Sequence, residues 1–201
     1  MPAVRRDPDR TRAAILASTV DLIGTHGFES IRHRTVATAA GVSLGSVPNH
    51  FPTREDLQSS ALQYLSITER DRLNQWALAL QATALDFDEW IARIAHDVAL
   101  DVENNRARWL ALIELQLACA RHEELRPAME TLRNSYRTVL TLGFRAAGFS
   151  DPTSAADQAI AAVTGLILKY LAYPSDDFPL QLQTLVATLV GGMKEQHLRR
   201  D

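Results

Sequence analysis

One cysteine stands in 201 residues, so no internal disulfide can form, and a small cross-linked secreted domain is excluded. That residue, Cys119, sits in an Ala- and Leu-rich segment with nothing beside it to lower its pKa, and reads as a buried, inert thiol. Motifs of catalysis and metal binding are missing too: there is no Gly-rich phosphate loop, no HExxH and no CxxC. The histidines, at 26, 33, 50, 96, 122 and 197, never recur at three- or four-residue spacing, so a helical metal site has no support. Ser46 lies in a Leu-Gly-Ser-Val-Pro run that lacks the second glycine and the strand of a nucleophile elbow. No catalytic residue, metal ligand or cofactor is assigned, and an enzyme is not expected. Lysine is scarce, with Lys169 and Lys194 beside abundant arginine, which fits a GC-rich genome. A secretory signal is missing, because Met1 to Asp9 is polar and the helix after it is interrupted by charge. The apolar stretch from Phe178 to Met193 is broken by Pro179, glutamines and two glycines. No membrane span is therefore expected, and the chain reads as cytoplasmic.

What is present is apolar residue in helical rhythm. Hydrophobic residues make up 46% and charged residues 22%, which supports a sizeable core and excludes global disorder. There is no alternating strand pattern and no internal repeat, so the chain is expected to be all-α, with about nine helices. Spacing and punctuation predict a helix from Asp7 or Asp9 to about Thr25, two short helices between 32 and 51, and a long helix from Thr53 past Trp76. Five more follow at about 86–103, 105–121, 124–147, 153–172 and 178–198, separated by turn-forming clusters. Residues 1–8 read as a loose arm, whose Arg5 and Arg6 either follow phosphates or are simply solvated. No Gly- or Pro-rich linker interrupts the long helix, and a continuous helix can transmit movement. The net charge of −3 argues against nucleic acid, but its distribution reverses the argument. Residues 1–54 hold seven arginines against four acids, a net +3, and the remainder is net −6.

The positive end contains the stretch from Arg32 to Arg54. Val36, Ala37 and Ala40 give a short helix an apolar face. Gly41 closes it in the left-handed conformation that glycine adopts without steric cost. Val42 plugs the corner, and Ser43 is placed to cap the next helix. Val47 and Phe51, four apart, tie that helix to the core. Its other face carries Leu44, Gly45, Ser46, Asn49 and His50, small and polar residues that leave room for a close approach. A helix-turn-helix that slides its second helix into the major groove has this form. Pro52 stops that helix, and Thr53 with Asp56 forms a shortened capping box for the long one.

The segment from Thr11 to Leu62 resembles the N-terminal domain of the TetR family of transcriptional regulators. Thr11-Arg12, Ile15, Leu16, Gly27-Phe28, Arg34, Val36-Ala37, Ala40 to Ser43, Gly45, His50-Phe51, Arg54-Glu55 and Leu57 carry the likeness as an ordered set. The resemblance implies a DNA-binding domain over 1–55 and a helical ligand-binding and dimerisation domain over 56–201. It implies a homodimeric regulator, expected to be a repressor, on a pseudo-palindromic double-stranded operator. Arg34 occupies the place from which the family's arginine reaches DNA. Ser43, Leu44, Gly45, Ser46, Asn49 and His50 occupy recognition-helix positions, and Arg54 opens the long helix. Asn49 suits a bidentate contact to adenine, while His50 and Arg54 suit phosphate. Leu44 replaces the frequent lysine, Pro48 the usual tyrosine, and Arg32-His33 the usual threonine and apolar pair.

Farther along, polar and aromatic side chains on apolar faces suggest a pocket for a small, largely apolar effector, lined by Trp90, Trp109, Ile113, Gln116, Leu117 and Tyr136. Gln116 is the strongest hint, because a buried amide needs partners. The last two helices are apolar over more than one face, so each is expected to pack on its own subunit and on a partner. Ile160, Val163, Ile167, Leu182, Leu185 and Leu189 are the expected dimer interface. Two rivals stand beside this reading: the same fold controlled by a protein partner instead of a ligand, and an all-α enzyme on the same scaffold.

Overall fold

The computed structural model describes residues 7–81 and 85–198, with side chains described over 7–79 and 85–193. Arg5 and Arg6, candidates for phosphate contact, lie outside the described residues. Among the described residues there is no strand, and nine α-helices follow one another. They are α1 Pro8–His26, α2 His33–Ala39, α3 Ser46–His50, α4 Arg54–Gln81, α5 Phe87–Asn104, α6 Arg106–Arg121, α7 Arg126–Ala146, α8 Pro152–Ala172 and α9 Phe178–Leu198. The chain forms two compact units: residues 1–69 with 107–130, and residues 70–106 with 131–201.

Side chains at the helix starts explain most of these boundaries. The Asp7 carboxylate accepts from Asp9 N at α1, and Pro8 sits in the first turn. Asp86 and Glu89 form a reciprocal capping box at α5, with bonds of 2.9 and 3.1 Å. Asp151 accepts from Ser154 N before Pro152 opens α8. The predicted Thr53–Asp56 box is present, with bonds of 3.0 and 3.2 Å in the two directions.

In the first unit, Ile15, Leu16 and Ile23 of α1 join Ile31, Val36, Val47, Phe51, Leu57, Leu62 and Leu65 in a buried core. Residues 107–130 fold against these same elements. Gly24 of α1 is buried where the Ala107 carbonyl passes, and a Cβ built there would stand 1.9 Å from that oxygen. Only a residue without a side chain permits this approach. Ser66 donates to the Ala128 carbonyl at 2.6 Å, and Gln58, also buried, donates to the Phe28 carbonyl at 2.7 Å. Glu69, 2% exposed, receives one Arg108 nitrogen on both carboxylate oxygens at 2.7 Å. Such charge-assisted bonds offset the cost of taking the carboxylate out of water.

The second unit is organised by polar clasps around an aromatic cluster. Trp76 Nε1 donates to Asp97 at 3.0 Å, and Arg93 Nε donates to the same carboxylate at 2.8 Å. Arg137 of α7 grips Asp157 of α8 through two bonds of 2.8 Å, and these hold the Asp157 carboxyl below the ordinary carboxylate range. Phe87, Phe144 and Phe149 pack ring to ring at 5.0–5.8 Å.

One sequence expectation changes here. By length and composition α8 is long and apolar enough to cross a membrane. Its polar positions, Thr153, Ser154, Asp157, Gln158, Thr164 and Lys169, are few enough that its average stays high. Only 22% of that apolar window is buried within the chain.

Gly24→Ala should destabilise the protein by roughly 1–3 kcal/mol, because the new methyl displaces α1 from the Ala107 carbonyl. Urea unfolding checks this; a variant as stable as the parent would show that the approach is not tight.

Candidate functional site

The candidate nucleic-acid interface begins at the end of α2. Gly41 has φ +62°, its N–H bonds to Thr38 O, and the N–H of Val42 bonds to Ala37 O. That double closure is the Schellman arrangement, and it turns the chain toward α3. Ser43 does not cap α3 as expected. The cap position is Gly45, with no side-chain bond to the backbone, and the Ser43 hydroxyl meets the Ser46 hydroxyl at 2.7 Å. The late start has a cause. Pro48 lacks an N–H, and starting at Ser46 places it third in the helix, where an N–H has no intrahelical partner.

Val47 is completely buried and Phe51 is 2% exposed, so α3 is fixed through one side. Arg12 lies over the Phe51 ring at 5.2 Å. Arg34, Ser43, Leu44, Gly45 and Asn49 are exposed, with Leu44 at 56%, and Ser46, His50 and Arg54 are partly exposed. The fold thus brings the eight expected residues to the α2–α4 segment of one unit. The positions of two basic groups are set locally. Arg54 donates to the Glu29 carbonyl at 2.8 Å and its carboxylate at 2.6 Å, and Arg32 donates to the carbonyls of Glu29 and Ile31. A His33 ring nitrogen lies 3.2 Å from the Thr53 carbonyl, joining α2 to the turn before α4.

The second candidate site is a cavity of 420 Å³ in the other unit. It is walled by Ala77 of α4, Leu85 to Phe87 and Trp90 at the start of α5, and Val139, Leu142, Gly143, Ala146 and Ala147 of α7. Gly143 admits the Trp90 indole against bare helix backbone: a Cβ there would lie 2.2 Å from the ring edge. Phe87 and Trp90 stack at 5.9 Å with an interplanar angle of 22°.

Of the six expected pocket residues, only Trp90 lines this cavity. Tyr136 is half-buried on α7 in the same unit, while Trp109, Ile113, Gln116 and Leu117 belong to the other unit. Gln116 is exposed and Leu117 is 45% exposed, so neither faces an interior. The buried side of α6 runs through Ala111, Leu112, Leu115, Ala118 and Cys119, which leaves Gln116 and Leu117 outside it. The local signal of this cavity's lining was the Phe87/Trp90 pair one turn apart. The Cys119 thiol donates to the Leu125 carbonyl at 3.4 Å, and burial pushes its pKa up, away from nucleophilic use.

The sequence agrees with this geometry across both units. Residues 15–60 match the family described as bacterial regulatory proteins, tetR family. Residues 85–193, more than half of the chain, match the tetracyclin repressor-like C-terminal domain. The chain belongs to the TetR family. It is a transcriptional regulator, similar in fold to several solved structures. The multidrug binding protein EbrR, complexed with imidazole, is 27% identical over 91% of this chain and 96% of its own, with a TM-score of 0.65. SCO7518 of Streptomyces coelicolor A3(2) is 26% identical over 90% and 98%, with a TM-score of 0.66. A transcriptional regulator from Rhodococcus sp. Rha1 is 22% identical over 94% and 97%, with a TM-score of 0.75. No curated protein matches the chain in sequence.

Pro48→Ala should change stability by no more than about 1 kcal/mol, because the proline already sits where no bond is lost. Asn49→Pro removes the N–H that bonds Gly45 O at 3.3 Å, and should cost about 3 kcal/mol. Denaturant unfolding of the two variants checks this; equal costs would contradict the placement of Pro48.

Proposed function

We propose that this TetR-family regulator is a homodimeric repressor and not an enzyme. Each subunit lays one α3 in the major groove of a pseudo-palindromic operator, and a small, largely apolar ligand releases it. In this reading residues 1–55 bind DNA, and residues 56–201 bind the ligand and the second subunit. One observation carries the DNA reading: Val47 and Phe51 are buried behind α3 while Leu44, Gly45 and Asn49 stand exposed on it or just before it. A surface held rigid from behind and small in front suits insertion into a groove. Arg34 reads guanine or holds phosphate, Asn49 reads adenine, and Leu44 meets a thymine methyl. Ser43, Ser46 and His50 hold the backbone. Arg54 reaches phosphate by exchanging the Glu29 carboxylate, an ion pair exposed enough to be worth only about 0–1 kcal/mol.

The dimer reading rests on the surplus apolar surface of α8 and α9. It shifts from the residues first expected, because Ile167 and Leu182 are 1% and 0% exposed within one subunit. Ile160, Val163, Leu185 and Leu189 are half-buried. The outward stripe of α8 is Ala161, Gly165, Leu168 and Ala172, and that of α9 includes Thr184, Ala187, Thr188 and Gly191. Added Cβ atoms at Gly165 and Gly191 meet nothing, so both face open space. Small residues on two such stripes permit close helix approach in a four-helix interface. The ligand reading is supported by the cavity and by EbrR, a multidrug binding protein. The ligand acts only through its different affinities for the DNA-competent and incompetent conformers.

On an operator obtained by selection, Arg34→Ala should weaken binding by about 1–3 kcal/mol and relax preference at one base pair. Unchanged affinity across operator variants would reject that role. The pair Gly165→Glu and Ala187→Glu should give folded monomers in sedimentation, and a persisting dimer would move the interface elsewhere.

A further inference from the structure

We propose that the Glu29 carboxylate is a built-in competitor for DNA phosphate, which holds Arg54 in the free protein and so lowers the affinity for any duplex. As an assignment of what regulates DNA affinity, this rests on the DNA-binding reading above. Three observations carry it, and the first is placement. Arg54 and Gln58, one turn apart on α4, grip consecutive carbonyls of the 3₁₀ turn Phe28–Ser30. Gln58 donates to the Phe28 carbonyl at 2.7 Å and Arg54 to the Glu29 carbonyl at 2.8 Å. The N–H and hydroxyl of Ser30 both donate to the Gly27 carbonyl, which closes that turn. The Glu29 backbone is thus fixed against α4, and its carboxylate meets Arg54 Nη2 at 2.6 Å. None of the backbone bonds uses the carboxylate, so Glu29→Gln removes the charge and keeps the arrangement.

The second observation is charge. Arg32 Nη1 donates to the same Glu29 carbonyl oxygen as Arg54, also at 2.8 Å. Two guanidinium groups therefore converge on one oxygen, and Glu29 supplies the carboxylate beside them. Like charges held this close repel, and an anion next to them relieves the repulsion. A DNA phosphate offers what the carboxylate offers, negative charge on oxygen acceptors that match a guanidinium.

The third observation is that the pair can be exchanged. The Glu29 side chain is 79% exposed and that of Arg54 29%. The carboxylate holds one Arg54 nitrogen and not the two-nitrogen fork, since Arg54 Nε is buried without an acceptor. A one-nitrogen pair at the surface is screened by water and yields to another anion. Once displaced, the carboxylate stays tethered a few bonds away and opposes the phosphate that replaced it. Glu29 therefore acts against the complex twice, by occupying Arg54 beforehand and by repelling phosphate afterwards.

The test is fluorescence anisotropy of the full chain with a selected operator duplex and with a duplex of equal length and unrelated sequence. Glu29→Gln should tighten both by about threefold at low salt. The gain should be equal on the two duplexes, because phosphate contacts carry no sequence information. It should fade as salt is raised from about 0.05 to 0.3 M. In an Arg54→Gln background most of the gain should vanish, with unfolding midpoints confirming that every variant folds. Weaker or unchanged binding by Glu29→Gln would give the carboxylate a merely structural role and overturn the proposal. A gain confined to the operator, one indifferent to salt, or one of the same size without Arg54 would overturn it as well. The two readings fail differently. A parent that binds DNA but is not tightened by Glu29→Gln overturns only the competitor, whereas a parent and variants that bind neither duplex overturn the DNA reading and the competitor with it.

Discussion

The structure of the segment from α2 to α4 depends on two side chains, Val47 and Phe51. A helix of five residues has no stability of its own, because nucleation costs more than so few hydrogen bonds return. It exists because its inner side is anchored in the core of α1, α2 and α4. Gly41 and Val42 fix where the chain enters, and the Thr53–Asp56 box fixes where it leaves. With entry, exit and inner face set, the outward direction of Leu44 and Asn49 is determined. The form of this surface is therefore a consequence of packing behind it.

Much of this was legible before any coordinates. A glycine after an apolar helical face and a Thr-x-x-Asp before a new one each name a hydrogen bond, and each bond is present. Pro48 lacks an N–H, and α3 starts where none is needed at that position. The failures share one cause. A 3.6-residue period shows that a helix has an apolar face, but a helix apolar on several sides has several such faces. Which of them a neighbour covers is decided by tertiary packing. On α6 the covered face is centred on Leu112 and Leu115, not on Gln116. On α8 and α9 the side chains chosen for a partner included Ile167 and Leu182, which the subunit keeps for itself.

The close contacts were the least legible. Gly24 and Gly143 lie in ordinary helical sequence, and nothing local marks one as the seat of the Ala107 carbonyl and the other as the seat of the Trp90 indole. In each case the missing side chain makes room for a group distant in sequence. The cavity was missed for the same reason, since its floor is a glycine and its walls are residues that look like ordinary core. The apolar excess of α8 was underestimated because Asp157, Gln158, Thr164 and Lys169 interrupt it without making it polar. Within the chain most of that surface stays uncovered.

The central claim is that α3 is presented to the major groove by two subunits at once. Methylation protection of a selected operator by the purified protein tests it most directly. The account predicts guanine N7 protection in two major-groove segments on one face of the duplex, separated by roughly one helical turn or somewhat more. Protection confined to the minor groove, or to a single segment, would contradict it.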